Sequence, residues 1–246
     1  MSAPETAPAG AILLDIEGTT TAVAFVTEVL FPYVRRHLRS HLKARSGLPE
    51  YKSMIMGLRA EHASALRSGE TVPRWDDDPP TAFHEAIAGY VEWLMDRDRK
   101  STALKELQGR IWEDGYRRGE LVGEVFPDVR PALRHWHEQH VPVGIFSSGS
   151  ILAQQLLFRY SSAGDLTGLL QWYFDTRVGS KVDAESYRRI AASTKIPASA
   201  FLFLSDTVKE LDAARAAGMQ VRLVVRPGNA PVAVSHDYET IHSLEI

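Results

Sequence analysis

Four polar sites in this 246-residue sequence stand directly after short apolar runs, and their side chains together suit attack on a phosphate ester. Asp15 and Glu17 follow Ala11–Leu14, and Ser147 and Ser148 follow the run ending at Phe146. Lys181 lies a short loop beyond Trp172–Phe174, and Asp206 and Glu210 follow the run ending at Leu204. Asp15 and Asp206 offer the hard oxygens that Mg²⁺ takes, usually one or two carboxylates with waters and substrate phosphate completing the shell. The metal offsets repulsion between an anionic nucleophile and a phosphoryl group. Lys181 adds positive charge, and the Ser147 hydroxyl with nearby backbone N–H groups can hold phosphoryl oxygens. Attack by the Asp15 carboxylate gives an aspartyl-phosphate, which divides a difficult hydrolysis into two steps. Phosphate-monoester hydrolysis calls for accelerations of up to ~10²¹, so metal, cation and nucleophile have to converge.

Taken singly, each residue has a commoner use. Asp15 could simply end a strand, Ser148 or Ser150 could cap a helix starting at Ile151, and Asp206 could cap one starting near Val208. Lys181 could be a surface lysine. Four such residues at consecutive strand ends are another matter, because open α/β sheets bind ligands at the carboxyl ends of their strands.

The elements that must position them alternate. Ala11–Leu14 reads as a strand buried on both faces of a parallel sheet. Beyond Phe126-Pro127-Asp128 the pattern runs helix Val129–Gln139, strand Val141–Phe146, helix Ile151–Tyr160 and strand Trp172–Phe174. Helix Ala184–Ser193, strand Phe201–Leu204, helix Val208–Ala217 and strand Val221–Val225 complete it. That alternation predicts a doubly wound α/β sheet. Between Val23 and Leu121 no comparable strand is found. Phe25, Val29, Leu30, Val34 and Leu38 share a helical face, and Tyr51–Leu66, Thr81–Met95 and Ser101–Tyr116 are further helices, Thr81 or Asp78 capping the third. The expected organisation is an α/β core of residues 1–21 and 122–246, interrupted by an all-helical cap of residues 22–121.

Composition sets the outer bounds. A net charge of −3 argues against a nucleic-acid partner held by general phosphate attraction. The absence of Cys removes disulfides, thiolate metal sites and cysteine nucleophiles, as suits a reducing compartment. The first eleven residues lack a basic region, and Ala11–Leu14 is too short for a signal-peptide core or a membrane span. A cytoplasmic enzyme with no membrane partner is expected.

The constellation resembles the haloacid-dehalogenase-like (HAD) hydrolases, whose fold is an α/β core with inserted caps. Asp15-Ile16-Glu17-Gly18-Thr19 is similar to their first motif, Asp-x-Asp-x-Thr, with Glu17 in place of the second Asp. Phe146-Ser147-Ser148 is similar to the second motif, Lys181 to the third, and Leu204-Ser205-Asp206 with Glu210 to the fourth. Asp-Ile-Glu-Gly-Thr-Thr is typical of the enolase-phosphatases of methionine salvage within that superfamily. The likeness extends through Phe31-Pro32-Tyr33, Gly109-Arg110-Ile111-Trp112, Phe126-Pro127-Asp128-Val129 and Gln154-Gln155-Leu156-Leu157-Phe158. It covers most of the chain from Ile12 to Gly228 and is weakest from about Ser40 to Ala103. The resemblance implies enolisation of 2,3-diketo-5-methylthiopentyl-1-phosphate, then loss of phosphate to give the acireductone 1,2-dihydroxy-3-keto-5-methylthiopentene. It implies one Mg²⁺ per chain, held by Asp15, Asp206 and residue 17 through its backbone carbonyl, with Ser147, Ser148 and Lys181 binding the substrate. Glu17, one methylene longer than Asp, is the candidate for proton handling, and a monomer is expected.

Other clusters read as structural. His135, His137 and His140 do not have the His-Glu-x-x-His spacing of a zinc site and suit a solvated helix end. Asp76-Asp77-Asp78 suits the dipole at a helix start better than a cation site. Arg35, Arg36 and Arg39 suit an exposed basic face better than a substrate contact. Trp112 and Tyr116 could line a substrate tail or form core. The rival functions are a general HAD phosphatase for another small phosphate ester, a phosphoprotein- or metabolite-binding module that keeps the fold, and a haloacid dehalogenase. The last needs no metal and so leaves Glu17 and Asp206 without a use.

Overall fold

The computed structural model describes residues 9–76, 80–99, 101–232 and 235–246. Strand β1 (Ala11–Leu14) is followed by helices α1 (Phe31–Arg45), α2 (Pro49–Arg67), α3 (Pro80–Asp96) and α4 (Thr102–Arg117). Then come α5 (Val129–Glu138), β2 (Val143–Phe146), α6 (Ile151–Arg159), β3 (Trp172–Phe174) and α7 (Ala184–Thr194). The chain closes with β4 (Phe201–Ser205), α8 (Val208–Ala216), β5 (Gln220–Val224) and β6 (Thr240–Ile241). It divides into two compact units, one of residues up to Thr27 with Leu121–Ile246, the other of Glu28–Glu120.

The first unit is a six-stranded parallel sheet of order β3-β2-β1-β4-β5-β6. β1 lies in the middle, and every residue of β1, β2 and β4 is buried, so these runs are apolar throughout instead of alternating. Leu13, Phe146, Phe201, Phe203, Leu211 and Tyr187 form part of its core. The Tyr187 ring meets Phe146 and Phe203 edge-on, with centroids 5.4 and 5.1 Å away. Strand order reverses between β1 and β4, and a crevice opens at the carboxyl ends of strands where that happens. The doubly wound sheet is as the alternation predicts. The strand expected from Val141 starts at Val143, because Pro142 has no N–H to give the ladder, although its carbonyl accepts from Ile12 (2.9 Å). β6, two residues long, has no counterpart among the strands expected from the sequence.

The regular elements described in the second unit are all helices. Phe25, Leu30, Val34 and Leu38 are buried as expected, whereas Val29 is 37% exposed. Phe25–Leu30 forms a wide π-helical turn before α1, which changes the phase of the apolar face there. Trp112 and Tyr116 are buried on α4, and the Trp112 indole N–H donates to the Leu30 carbonyl (2.9 Å); they are core of this unit. Arg35 pairs with Asp96 (2.5 Å), and Arg39 with Glu85 (2.9 Å) and Glu92 (2.7 Å), joining α1 to α3, while Arg36 is exposed. His41 is buried between Asp114 (3.1 Å from Nδ1) and the Tyr51 hydroxyl (2.7 Å from Nε2).

His135 and His137 are exposed on the last turn of α5 and His140 just beyond it. Asp76 pairs with Arg74; Asp77, Asp78 and the capping role of Thr81 lie outside the described residues and side chains. Among the described residues no helix is long and apolar enough to cross a membrane.

Candidate active site

Asp15 extends β1 by one ladder bond, its N–H donating to the Leu204 carbonyl (3.0 Å), and its side chain is buried at 4% exposure. The chain then turns sharply. The N–H groups of Thr19, Thr20 and Thr21 all donate to the Ile16 carbonyl (2.9–3.1 Å), and the three threonines are fully buried. Gly18 has φ +71°, and a Cβ there would stand 2.2 Å from Asp206 Oδ2. Both facts require glycine, and the second places Asp206 directly against the loop that follows Asp15. Glu17, half-buried, lies opposite Thr21 in an isolated bridge.

Lys181 is buried, and its Nζ lies 2.5 Å from Asp15 Oδ1 and 2.7 Å from Glu210 Oε2. Its backbone carbonyl accepts from the Tyr187 hydroxyl (2.7 Å), which ties the loop to α7. At the end of β4 the Ser205 hydroxyl donates to Glu210 Oε2 (2.9 Å) and accepts from Thr207 N–H (3.1 Å). Asp206 does not cap α8: it accepts from the Thr207 hydroxyl (3.0 Å), and the cap position is Thr207 itself, whose side chain makes no capping bond to the helix.

At the end of β2, next to β1, Ser147 is 3% exposed, its N–H donating to Phe174 (3.2 Å) and its hydroxyl accepting from Gly149 N–H (3.1 Å). Ser150, and not Ser148, caps α6, accepting from Ala153 N–H (3.3 Å). The structure thus brings Asp15, Lys181 and Glu210 into direct contact, sets Asp206 against the Asp15 loop, and stands Ser147 and Ser148 at the neighbouring strand end.

Charge balance explains the electrostatics. Burial works against the Lys181 ammonium, yet Asp15 and Glu210 together hold its pKa above the ordinary lysine value. Burial, then the charge of Asp15, pushes Asp206 up to about 6, and the same two causes push Glu210 up to about 7. Three carboxylates around one ammonium leave the site short of positive charge. Among the described residues no three His, Asp or Glu side chains are arranged to hold an ion. A cation here would rest on the two carboxylates of Asp15 and Asp206, a backbone carbonyl, and oxygens from water and substrate. That donor set fits Mg²⁺, which keeps several waters and takes few protein carboxylates.

The sequence gives no site role to Arg226, Asn229, Asp128 or Gln154, although Asp128 and Gln154 lie in stretches that carry the family resemblance. Gln154 donates to the carbonyls of Gly149 and Phe174, 2.8 Å each, fixing the turn after β2. Arg226 and Asn229 grip the loop after Asp15. Their only signal in the sequence is position: polar residues just past another buried strand.

A buried carboxylate followed by a tight loop at the switch point of a parallel sheet, faced by a buried lysine, defines a class. Residues 9–218 match the family described as haloacid dehalogenase-like hydrolase, and the chain belongs to it. Within that class it is 49% identical to "Enolase-phosphatase E1" of Synechococcus elongatus over 236 residues, 95% of each chain. It is 46% identical to the protein of the same name from Pseudomonas savastanoi pv. phaseolicola, over 96% of this chain and 97% of the relative. The chain is therefore a member of the enolase-phosphatase E1 family. Its fold is similar to the crystal structure of the UTR4 protein of Saccharomyces cerevisiae, with a TM-score of 0.76 and 31% identity over 96% of this chain and 99% of that one.

Proposed function

We propose that this chain is an Mg²⁺-dependent enolase-phosphatase that enolises 2,3-diketo-5-methylthiopentyl-1-phosphate and then hydrolyses the enol phosphate to the acireductone 1,2-dihydroxy-3-keto-5-methylthiopentene. The observation that carries the reading is the buried Asp15 carboxylate, 2.5 Å from Lys181 at the sheet's switch point, in a chain nearly half identical to named enolase-phosphatases.

In this reading Asp15 is the nucleophile. One carboxylate oxygen bonds to phosphorus as the ester P–O bond breaks, and the departing enol oxygen takes up a proton from solvent, to which the attacking water of the second step returns one. Water then cleaves the aspartyl-phosphate, releasing phosphate and restoring the carboxylate. Lys181 neutralises charge on Asp15 and on the phosphoryl oxygens, while Ser147 and Ser148 donate to those oxygens. Glu17 moves the proton between the substrate carbon and oxygen during enolisation. Asp15, Asp206 and the carbonyl of residue 17 would hold one Mg²⁺, which when bound would supply positive charge for the enolate and for the phosphoryl group. We assign the Glu28–Glu120 unit the part of a cap that excludes water. We also assign the chain a monomeric state and work in the cytoplasm, whose reducing conditions the zero Cys count suits.

The test supplies the diketone phosphate with Mg²⁺ and follows ultraviolet absorbance alongside phosphate release. Enol absorbance that precedes phosphate is expected. Phosphate release with no enol would make the chain a general phosphatase, and no release at all would overturn the enzymatic reading.

A further inference from the structure

The segment after β5 reaches back to the loop that follows the nucleophile. Arg226 is buried, with 4% of its side chain exposed, and its Nε donates to the Thr19 carbonyl (3.0 Å). Its Nη1 donates to the His242 carbonyl and pairs with Asp128 Oδ2, both at 2.9 Å, and its guanidinium lies over the Phe126 ring at 4.6 Å. Asp128 Oδ2 also accepts from Leu244 N–H (2.6 Å). Three distant stretches are thereby fastened to one guanidinium. Three residues on, Asn229 Nδ2 donates to the Gly18 carbonyl (2.9 Å). Asn229 Oδ1 lies 3.0 Å from the point where a Cβ on Gly18 would be, the same point that Asp206 Oδ2 crowds. That Oδ1 is buried and has no hydrogen-bond donor among the described residues, a state that costs free energy unless a water or ligand supplies the partner.

The loop's peptides are therefore held one after another. Gly18 O is taken by Asn229, Thr19 O by Arg226, Thr20 O by Phe126 N–H (2.9 Å) and Thr21 O by Gly18 N–H (2.7 Å). The last bond fixes the plane of the peptide joining residues 17 and 18, and so the direction of the residue 17 carbonyl.

We propose that Arg226 and Asn229 are positioning residues for the divalent cation. Their clamp on residues 18 and 19 holds the carbonyl of residue 17 in register with Asp206, and Asn229 Oδ1 accepts a hydrogen bond from a water of the cation's shell. The inference rests on the reading that residues 15, 17 and 206 bind Mg²⁺. Such outer partners are worth about 10- to 100-fold in metal affinity.

Mg²⁺ is titrated calorimetrically into the full-length wild type, Asn229→Ala and Arg226→Lys, and each thermal midpoint is measured in EDTA. Lysine keeps the charge opposite Asp128 but cannot reach Thr19, His242 and Asp128 together. The expected result is an Mg²⁺ Kd weakened by about 10-fold or more in Asn229→Ala, with a midpoint in EDTA within ~3 °C of wild type. Arg226→Lys is expected to weaken Kd as well, with a larger drop in midpoint. A merely structural clamp would lower the midpoint and leave Kd unchanged; that outcome overturns the proposal while the metal reading stands. No Mg²⁺ binding by the wild type would overturn the metal reading, and the clamp with it.

Discussion

Replacing Lys181 by Met keeps an unbranched side chain but removes the ammonium that lies 2.5 Å from Asp15 and 2.7 Å from Glu210. Removing one partner of a buried ion pair costs ~3–5 kcal/mol, because a charge is left uncompensated out of water. Here the cost has a ceiling. Glu210 already titrates at about 7, from burial and the charge of Asp15, and without Lys181 it takes up a proton more readily still. A carboxyl whose pKa is raised on folding binds more protons in the folded chain than in the unfolded one. Its penalty is absent below the unfolded value of ~4.3 and grows as pH climbs through the folded value. The variant should therefore lose ~3 kcal/mol at pH 8 and less than half of that at pH 5. At ~2–4 °C per kcal/mol for a chain of this size, the thermal midpoint falls by ~6–12 °C at pH 8. Scanning calorimetry in EDTA at the two pH values reads this directly, and Mg²⁺ should recover part of the loss. Phosphate release should fall by ~10²–10³. An equal loss of midpoint at both pH values would refute the reasoning, as would no loss at all.

Gly18→Ala places a methyl 2.2 Å from Asp206 Oδ2 in a left-handed conformation. The backbone cost is only ~1–2 kcal/mol, but Asp206 must move, so calorimetric Mg²⁺ binding should collapse while circular dichroism stays folded; wild-type binding would contradict the placement. In the helical unit, burial depresses the pKa of His41 to about 4 against the opposing pull of Asp114. The neutral ring suits its partners, with Nδ1–H donating to Asp114 and Nε2 accepting from Tyr51. The unfolded chain then binds the extra proton, so this stability is complete above pH ~6.5 and is lost as pH falls toward 4, at ~1.4 kcal/mol for each tenfold difference in proton affinity between the two states. The thermal midpoint of wild type should fall by several degrees more than that of His41→Gln between pH 7 and pH 5; parallel curves would show that His41 titrates normally.

The site was legible in the sequence to the extent that single strand ends carry it. Asp15, Ser147 and Asp206 each follow a run of apolar residues too short for anything but a buried strand, and parallel pairing brings such ends to one edge. The grip on the site was not legible in that way. Arg226 and Asn229 act through the carbonyls of Thr19 and Gly18, far back in the chain, and Asp128 accepts from Arg226 and from Leu244 N–H; no periodicity reports such contacts. Val29 shows the same limit locally: its spacing fits an α-helical face, but the wide turn over Phe25–Leu30 alters the phase and leaves it exposed. β6 is too short for any alternation to register.

The covalent role proposed for Asp15 is tested most directly by acid-quenching the enzyme during turnover with the diketone phosphate and Mg²⁺, then mapping its peptides by mass spectrometry. One added phosphoryl group is expected on the peptide containing residue 15, lost on incubation at neutral pH and not formed in Asp15→Asn. Rapid phosphate release by an Asp15→Asn chain, or a phosphoryl group on any other residue, would contradict it.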